Sequence, residues 1–292
     1  MCNFENVIDD VYLLKTPFSC VWTGIILIKG EKNYLIDSGA DEPEKYLIPA
    51  LEKLDVKISD IDYLLNTHSH GDHITGHYTL VNKYNLKTVV YEGGRKNLCD
   101  PKSNAIRIRT KFPEHSPAPQ SFLKGVEPNI CLADGEVLDG RLKIISTPGH
   151  DDDCICILDL KTKTLFTGDS LQGNGTLSQG VAFYQDLHKY RQTIDKLLSE
   201  DIENIVCAHD YDGIGSVILS RKSTIGALEF CKKQPDIYQK IIDDIVKEGY
   251  EKLDEIAVQL INRIGIAMPE KLFLPLYTTS EHLKEINKWE TY

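Results

Sequence analysis

Long apolar runs and an excess of basic charge are both missing from this chain. Its strongest short apolar run is Ile25–Ile28, far below the roughly 20 residues that a membrane-spanning helix needs. Basic residues number 33 against 44 acidic ones, which gives a net charge of −11. Nucleic acids and anionic membranes both attract positive surfaces, so we expect neither as a partner.

A secretory signal and a disulfide framework are missing as well. No basic region followed by an apolar segment stands at the N-terminus, so we expect a cytoplasmic protein. The eight cysteines are scattered, without the Cys-x-x-Cys spacing of many zinc sites. We predict reduced, mostly buried thiols. Cys154 and Cys156 would share one face of a strand, and a thiolate metal pair is the alternative for them.

Length and composition predict one large globular unit with a smaller appendage. The 292 residues are 41% hydrophobic and 26% charged, which is ordinary for a soluble protein and sufficient for a full core. The pattern becomes helical after about Ser216–Arg221. We therefore predict a main domain over residues 1–218 and a helical C-terminal extension over residues 219–292.

Periodicity predicts a mixture of strands and helices. Strands are expected at apolar or β-branched runs bounded by turn residues, and helices where apolar residues recur every three to four positions. The predicted strands are 11–15, 22–28, 34–36, 61–65, 88–91, 142–146, 154–158, 164–166 and 204–208. The predicted helices are 43–54, 73–84, 187–198, 225–233, 237–247, 253–264 and 280–288.

Residues 92–130 interrupt this order. They hold several prolines and a concentration of basic side chains, and their periodicity is poor. Long excursions inside compact domains are usually functional or disordered. We predict either a surface insert or a lid that binds an anionic group, and a short helix within the segment is an option.

The most informative segment directly follows the strand predicted at 61–65. It reads His68-Ser69-His70-Gly71-Asp72-His73 and contains three of the nine histidines. Neutral imidazole and carboxylate are good ligands for zinc, iron and manganese. Such a concentration of donors predicts a metal site.

Three further candidates, His150, Asp169 and His209, stand just beyond other predicted strands. Strand ends collect at one edge of a sheet, which brings distant segments to one site. The seven donors can serve two metals: His68, His70 and His150 for one, Asp72, His73 and His209 for the other, with Asp169 as the bridge.

Five motifs in order resemble the metallo-β-lactamase-fold hydrolase superfamily over about residues 7–212. They are Leu35-Ile36-Asp37-Ser38-Gly39, Thr67 to His73, Thr147-Pro148-Gly149-His150, Thr167-Gly168-Asp169-Ser170 and Ala208-His209. The resemblance implies an α+β fold, a four-layer αβ/βα sandwich with the metals at one edge between two sheets. It also implies that Asp37 braces the metal-bearing loop by hydrogen bonds; a simple turn residue is the alternative.

Two positions narrow the subclass that this resemblance implies. The flavin-linked diiron oxygen reductases have a glutamate where His70 stands, and true β-lactamases have a cysteine where Asp169 stands. The chain is therefore more similar to the glyoxalase II, lactonase and thioesterase-like members. It departs from many of them at Asp151-Asp152-Asp153, which we interpret as a solvated turn, with an effect on metal affinity as the alternative.

The main hypothesis is a metal-dependent hydrolase of a small ester, thioester or lactone. A hydroxide bridging two divalent ions would attack the carbonyl, and Asp72 would orient it and accept its proton. Tyr184 and Tyr211 are weak candidates for an additional oxyanion donor, and packing is the simpler interpretation of both. Arg221, with Lys222, is a weak candidate for contact with an anionic substrate, and an exposed charge at a helix start is the alternative.

The resemblance also leaves other functions open. One is a mononuclear iron dioxygenase that oxidises persulfides, and another is a regulatory or binding protein that retains the metal site. A phosphodiesterase or nuclease is less favoured because the chain is acidic. The expected cofactors are two divalent ions, zinc by preference, with iron or manganese as alternatives. The expected partner is a small-molecule substrate, and the helical tail would cover the cleft or form a homodimer interface.

Overall fold

Two β-sheets lie face to face, and helices cover both outer surfaces. The computed structural model describes residues 2–286. Within that range the first sheet has seven strands, which are β1 Phe4–Ile8, β2 Val11–Phe18, β3 Val21–Ile28, β4 Tyr34–Ile36, β5 Tyr63–Leu65, β6 Lys87–Tyr91 and β7 Ile130–Leu132. The second sheet has six, which are β8 Val137–Leu138, β9 Leu142–Ser146, β10 Ile155–Asp159, β11 Thr164–Phe166, β12 Asn204–Tyr211 and β13 Gly215–Ile218.

The two sheets combine antiparallel and parallel pairing. In the first, β1 to β4 pair antiparallel in sequence order, and β4 to β7 pair parallel. In the second, the order is β13-β12-β11-β10-β9-β8, and only β11 and β12 run parallel. The parallel strands direct their carboxyl ends to one edge, so the loops after β4, β5 and β11 start close together.

Nine α-helices lie within the described residues. They are α1 Leu47–Glu52, α2 Gly71–Ile74, α3 His77–Asn82, α4 Arg95–Cys99, α5 Pro101–Thr110, α6 Leu187–Leu198, α7 Arg221–Lys247, α8 Leu253–Ile264 and α9 Phe273–Glu285. Across the same range, no helix is both long and apolar enough to cross a bilayer.

The layered arrangement arises because the strands are buried on both faces. One face packs against the other sheet, and the opposite face packs against helices. In β3, Ile26 and Ile28 point between the sheets, whereas Ile25 and Leu27 point to α1 and α3. Strands of this kind appear as continuous apolar runs rather than alternating ones. The outer face of the second sheet packs on α6, α7, α8 and α9 through one continuous hydrophobic cluster. The predicted α+β four-layer sandwich with C-terminal helices is confirmed.

Several predicted boundaries were wrong. The helix expected over 43–54 begins only at Leu47, and the one expected over 73–84 is divided at Thr75-Gly76 into α2 and α3. The two helices expected over 225–233 and 237–247 form one helix that passes through Pro235. Buried residues on both sides of Pro235 belong to the same core, and this packing outweighs the missing hydrogen bond.

Residues 92–130 are more regular than expected, because they contain α4 and α5. The start of α5 carried two recognisable signals, since Asp100 caps the amide of Ser103 and Pro101 occupies the first turn. The final predicted helix, 280–288, is the end of a helix that begins at Phe273. Residues 287–288 lie outside the described residues.

Candidate metal centre

The seven predicted donors meet at the edge where the two sheets face each other. His68, His70, Asp72 and His73 lie on the loop after β5 and on the short helix α2. The other three come from the second sheet: His150 follows β9, Asp169 follows β11, and His209 lies within β12. Each donor is thus positioned by a strand that is anchored in the core.

Three imidazoles form the first half of the site. The candidate ligand atoms of His68, His70 and His150 lie within 4.8 Å of one another. Nδ1 of His70 lies 3.0 Å from Nε2 of His150. Nε2 of His68 is buried and has no hydrogen-bond partner in the described chain. These three atoms are arranged as one face of a metal coordination shell.

Asp72, His73 and His209 form the second half, and their ligand atoms also lie within 4.8 Å of one another. Oδ2 of Asp72 lies 3.5 Å from Nε2 of His73 and 3.3 Å from Nε2 of His209. The Thr23 hydroxyl donates to the same oxygen at 3.2 Å. This half therefore combines two imidazoles with a carboxylate whose orientation is fixed by a neighbouring strand.

Asp169 lies between the halves. Its Oδ1 is 3.4 Å from Nε2 of His73 and 3.3 Å from Nε2 of His209. Its Oδ2 is 3.4 Å from Nε2 of His150. One oxygen therefore faces each half, which is the arrangement that a bridging carboxylate requires.

The outward-facing ring nitrogens fix the orientation of every imidazole. Nδ1 of His73 donates to Oδ2 of Asp37 at 2.8 Å, Nδ1 of His209 to the Trp22 carbonyl at 2.6 Å, and Nδ1 of His150 to the Phe183 carbonyl at 3.1 Å. Nε2 of His70 faces Oδ2 of Asp151 at 3.1 Å. With the outer nitrogen protonated, the inner nitrogen presents a lone pair to the site.

Asp37 braces two of these rings. It accepts hydrogen bonds from the Thr67 amide and the Thr67 hydroxyl, each at 2.8 Å, as well as the one from His73. Because the Thr67 hydroxyl donates to Asp37, its oxygen is free to accept from Nδ1 of His68 at 3.2 Å. Asp37 has a positive φ of 62° at the turn after β4, so the turn and the bracing roles coincide.

The acidic triplet is not a solvated turn, and that interpretation was wrong for two of its three members. Asp151 and Asp153 are each only 2% exposed, whereas Asp152 is exposed and pairs with Lys189. Asp151 accepts hydrogen bonds from Arg107 at 2.6 and 2.8 Å, and Asp153 accepts one from the Ser69 amide at 3.1 Å. Asp151 and Asp153 therefore support the histidine loop.

Burial and charge act differently on the two halves. Burial lowers the pKa of His68 well below its usual range and that of His150 to about 4. Burial also acts to lower the pKa of His73 and of His209, but the carboxylates of Asp72 and Asp169 raise both above the usual range. Burial thus favours the neutral form of His68 and His150, whereas His73 and His209 lie beside carboxylates.

The donor set fits divalent metal ions. Nε2 of His68, Nε2 of His73 and Oδ1 of Asp169 are buried without a hydrogen-bond partner among the described residues. Leaving buried polar atoms unsatisfied is unfavourable, and bound cations would satisfy all three. Nitrogen and oxygen ligands suit zinc, iron and manganese alike, so the donors do not select among these metals.

Five of the seven donors line a cleft, namely His70, Asp72, His150, Asp169 and His209. Its walls come from segments distant in sequence. They are Phe18, Ala105, Ile108, Arg109, Gln120, Thr176, Ser178, Gln179, Phe183, Phe273 and Leu274. Helix α5 from the 92–130 segment and α9 from the C-terminal tail therefore both form part of the enclosure.

The weak candidates fall elsewhere. Tyr184 is buried and its hydroxyl lies 2.5 Å from Nε2 of His282, which agrees with the simpler interpretation of packing and not with the role of an oxyanion donor. Tyr211 is buried beside His209, with ring centres 5.9 Å apart, and neither tyrosine lines the cleft in the described part of the chain. Arg221 is exposed at the start of α7 and pairs with Asp201 at 2.6 Å, which agrees with the alternative of an exposed charge and not with contact to a substrate. Lys222 is exposed beside it.

The cysteines take no part in the site. All eight are free, and four of them, Cys154, Cys156, Cys207 and Cys231, are buried, whereas Cys20 and Cys131 are exposed. The prediction of mostly buried thiols was therefore wrong for half of the set. Among residues 2–286 no cysteine joins a group of three metal-binding side chains.

Comparisons with known proteins agree with this geometry. The sequence profile of the metallo-beta-lactamase superfamily matches residues 21–209. The beta-lactamase-like protein 2 homolog of Drosophila melanogaster is 26% identical over 266 residues, which are 90% of this chain and 81% of that protein. A hydroxyacylglutathione hydrolase of Francisella philomiragia is 31% identical over 156 residues, which are 52% of this chain and 50% of the hydrolase.

A solved structure shares the fold over nearly the whole chain. It is a metallo-beta-lactamase family protein from Thermus thermophilus, with a TM-score of 0.73 and 20% identity. The match covers 97% of this chain and 95% of that one. The C-terminal helices are therefore part of the shared architecture.

Proposed function

The chain belongs to the metallo-beta-lactamase superfamily, and from this premise we propose that it is a metal-dependent hydrolase of a small ester, thioester or lactone. The observation that carries the proposal is the position of Asp169 between two sets of donors, with Oδ1 near His73 and His209 and Oδ2 near His150. A carboxylate placed in this way is suited to hold two ions close together. The partial match to a hydroxyacylglutathione hydrolase also supports hydrolysis.

The seven donors would hold two divalent ions, zinc by preference. Bound ions would supply Lewis acidity toward a carbonyl oxygen and toward a water molecule. His68, His70 and His150 would form one set of ligands and Asp72, His73 and His209 the other, with Asp169 shared between them.

The side chains around these donors would position the reacting groups. Asp72 lines the cleft, and the Thr23 hydroxyl holds its Oδ2 at 3.2 Å. We assign to Asp72 the orientation of the attacking water and the acceptance of its proton, in addition to its place among the ligands. The apolar walls, including Ile108, Phe183 and Phe273, would exclude bulk water and pack against the acyl group.

Metal content and hydrolysis should be measured on the same samples. Protein purified without added metal is analysed for zinc, iron and manganese, and then assayed with thioesters, lactones and phosphodiesters. We expect His68→Ala and Asp169→Ala to lose bound metal and hydrolysis together while the circular dichroism spectrum is retained. His188→Ala, at an exposed position of α6, is the matched control. Normal turnover by a folded, metal-free His68→Ala protein would refute the proposal.

A persulfide dioxygenase is the main enzymatic alternative, and the same samples distinguish it. Such an enzyme would use a single iron and consume oxygen with a persulfide substrate. The donors of Asp72, His73 and His209 would then be left without an ion. The presence of both sets of donors therefore favours a two-metal hydrolase over a dioxygenase with a single iron. Oxygen uptake in place of ester hydrolysis would establish the alternative, and bound metal with neither activity would indicate a binding protein.

A further inference from the structure

Arg109 differs from the other arginines of the chain. Each of the other six contacts an aspartate or glutamate side chain. Arg109 has no carboxylate within salt-bridge distance in residues 2–286, although it is partly buried. Arginine and lysine side chains in apolar surroundings normally find a counter-charge, because an unpaired charge away from water is unfavourable.

Few of the N–H groups of the Arg109 guanidinium have a hydrogen-bond partner among the described residues. Nη1 donates to the Ala105 carbonyl at 2.8 Å, one turn earlier in α5. Nε is buried and has no hydrogen-bond partner in the described chain. The guanidinium carbon lies 5.9 Å from the centre of the Phe273 ring, in a cation–π contact with α9. The stem is thereby held in place while N–H groups remain available.

The position of Arg109 relates it to the metal centre. It lines the same cleft as Asp72 and His209, on the wall made by Ile108 and Phe273. Gln120 lines the cleft too, so close to the histidine loop that a Cβ added at Gly71 would be 2.2 Å from its Oε1. Arg109 and Gln120 thus present a charged and a neutral polar group to a cleft whose walls combine apolar side chains with Thr176, Ser178 and Gln179.

We propose that Arg109 binds an oxyanion of the substrate, either a carboxylate or a phosphate, and so makes the cleft selective for acyl compounds that carry a negative group beside an apolar part. The inference rests on the proposed hydrolase function for its reaction. A planar guanidinium with free N–H groups matches such an oxyanion in geometry and charge. The apolar walls would take the remainder of the molecule.

Matched substrates test this selectivity. We suggest three S-benzyl thioesters of similar length: succinate with its distal carboxylate free, 3-phosphonopropanoate, and neutral pentanoate. For the native protein we expect kcat/KM for one or both anionic thioesters to exceed that for the pentanoate by about 10- to 100-fold. Arg109→Met should abolish this preference while retaining turnover of the pentanoate, and Arg109→Lys should restore part of it. Arg95→Met, which removes an exposed arginine that pairs with Glu127, is the control.

A binding measurement decides the inference independently of activity. Calorimetry compares 4-phenylbutyrate with its neutral amide on the native protein and on Arg109→Met. We expect the substitution to weaken binding of 4-phenylbutyrate by about 10-fold or more and to leave the amide unchanged. Equal losses for both probes, or no preference for anionic thioesters in the native protein, would overturn the role of Arg109. Absence of all thioester turnover with an intact calorimetric difference would refute the hydrolase function alone.

Discussion

Nε2 of His70 lies 3.1 Å from Oδ2 of Asp151, although 81 positions separate the two residues in the chain. Both carboxylate oxygens of Asp151 in turn accept hydrogen bonds from the guanidinium of Arg107, at 2.6 and 2.8 Å. Arg107 belongs to α5, the helix that also forms a wall of the cleft. The orientation of one candidate metal ligand is therefore linked to a segment that forms a wall of the cleft.

Replacement of Asp151 should weaken metal binding without removing a ligand. In Asp151→Asn the His70 ring loses the carboxylate that fixes its tautomer, and we expect metal affinity to fall by about 10- to 100-fold. Competition with a chromogenic chelator measures this change. Asp152→Asn is the matched control, because Asp152 is exposed and pairs with Lys189. Equal affinities for the two variants would show that the Asp151–His70 contact does not support the metal centre.

The sequence predicted which donors come together and the support from Asp37, but it did not predict the support from Asp151. The cluster His68 to His73 and the strand-end residues could be recognised because each donor follows an apolar run that becomes a buried strand. The role of Asp151 could not be recognised, because the same acidic triplet can form either a solvated turn or a buried turn that contacts a histidine loop. Its role depends on a contact with α5, and that contact exists only in the folded chain.

The accuracy of the predicted strands and helices likewise depends on whether local sequence or tertiary packing determines the element. The strands over 34–36, 142–146 and 164–166 were predicted to the residue, because turn residues bound a short apolar run in each case. Helix α7 was predicted as two helices, since Pro235 removes a backbone donor and local rules favour a break there. Packing of both halves of α7 on the second sheet is a tertiary effect that periodicity does not contain.

Gly149 is required by the close approach of two segments beside the metal centre. Its φ is 140°, and a Cβ added there would lie 2.6 Å from Cα and 2.8 Å from the backbone nitrogen of Tyr190. Gly140 also has a positive φ, 68°, but a Cβ there would meet no atom of the described chain within 4 Å. The two positions therefore share backbone strain and differ in steric overlap.

Gly149→Ala should destabilise the protein more than Gly140→Ala. We expect about 1–2 kcal/mol for Gly140→Ala from the left-handed backbone alone. For Gly149→Ala we expect about 3 kcal/mol or more, because α6 must also move, together with a loss of metal affinity as His150 shifts. Urea unfolding gives both free energies. A difference between the variants of less than about 0.5 kcal/mol would exclude the steric contribution.

His282, in α9, is a buried histidine whose two ring nitrogens both have hydrogen-bond partners. Its Nδ1 donates to Oε1 of Gln239 at 2.9 Å, an orientation fixed because Nε2 of Gln239 donates to Asp243. Its Nε2 accepts from the Tyr184 hydroxyl. Burial, with a smaller effect of the positive charge of Arg191, lowers the pKa of His282 from 6.5 to about 3.

The contribution of His282 to stability should be complete above pH 6.5 and decline as the pH falls toward 3. Within that window the unfolded chain binds a proton that the folded chain does not, so the free energy of unfolding loses up to about 1.4 kcal/mol per pH unit. In His282→Gln this part of the slope should disappear. Urea unfolding at several pH values, with chelator present throughout so that metal release does not contribute, measures the slope. His188→Gln, at an exposed position of α6, should keep the native slope. An unchanged slope in His282→Gln would show that His282 does not contribute to the loss of stability in acid.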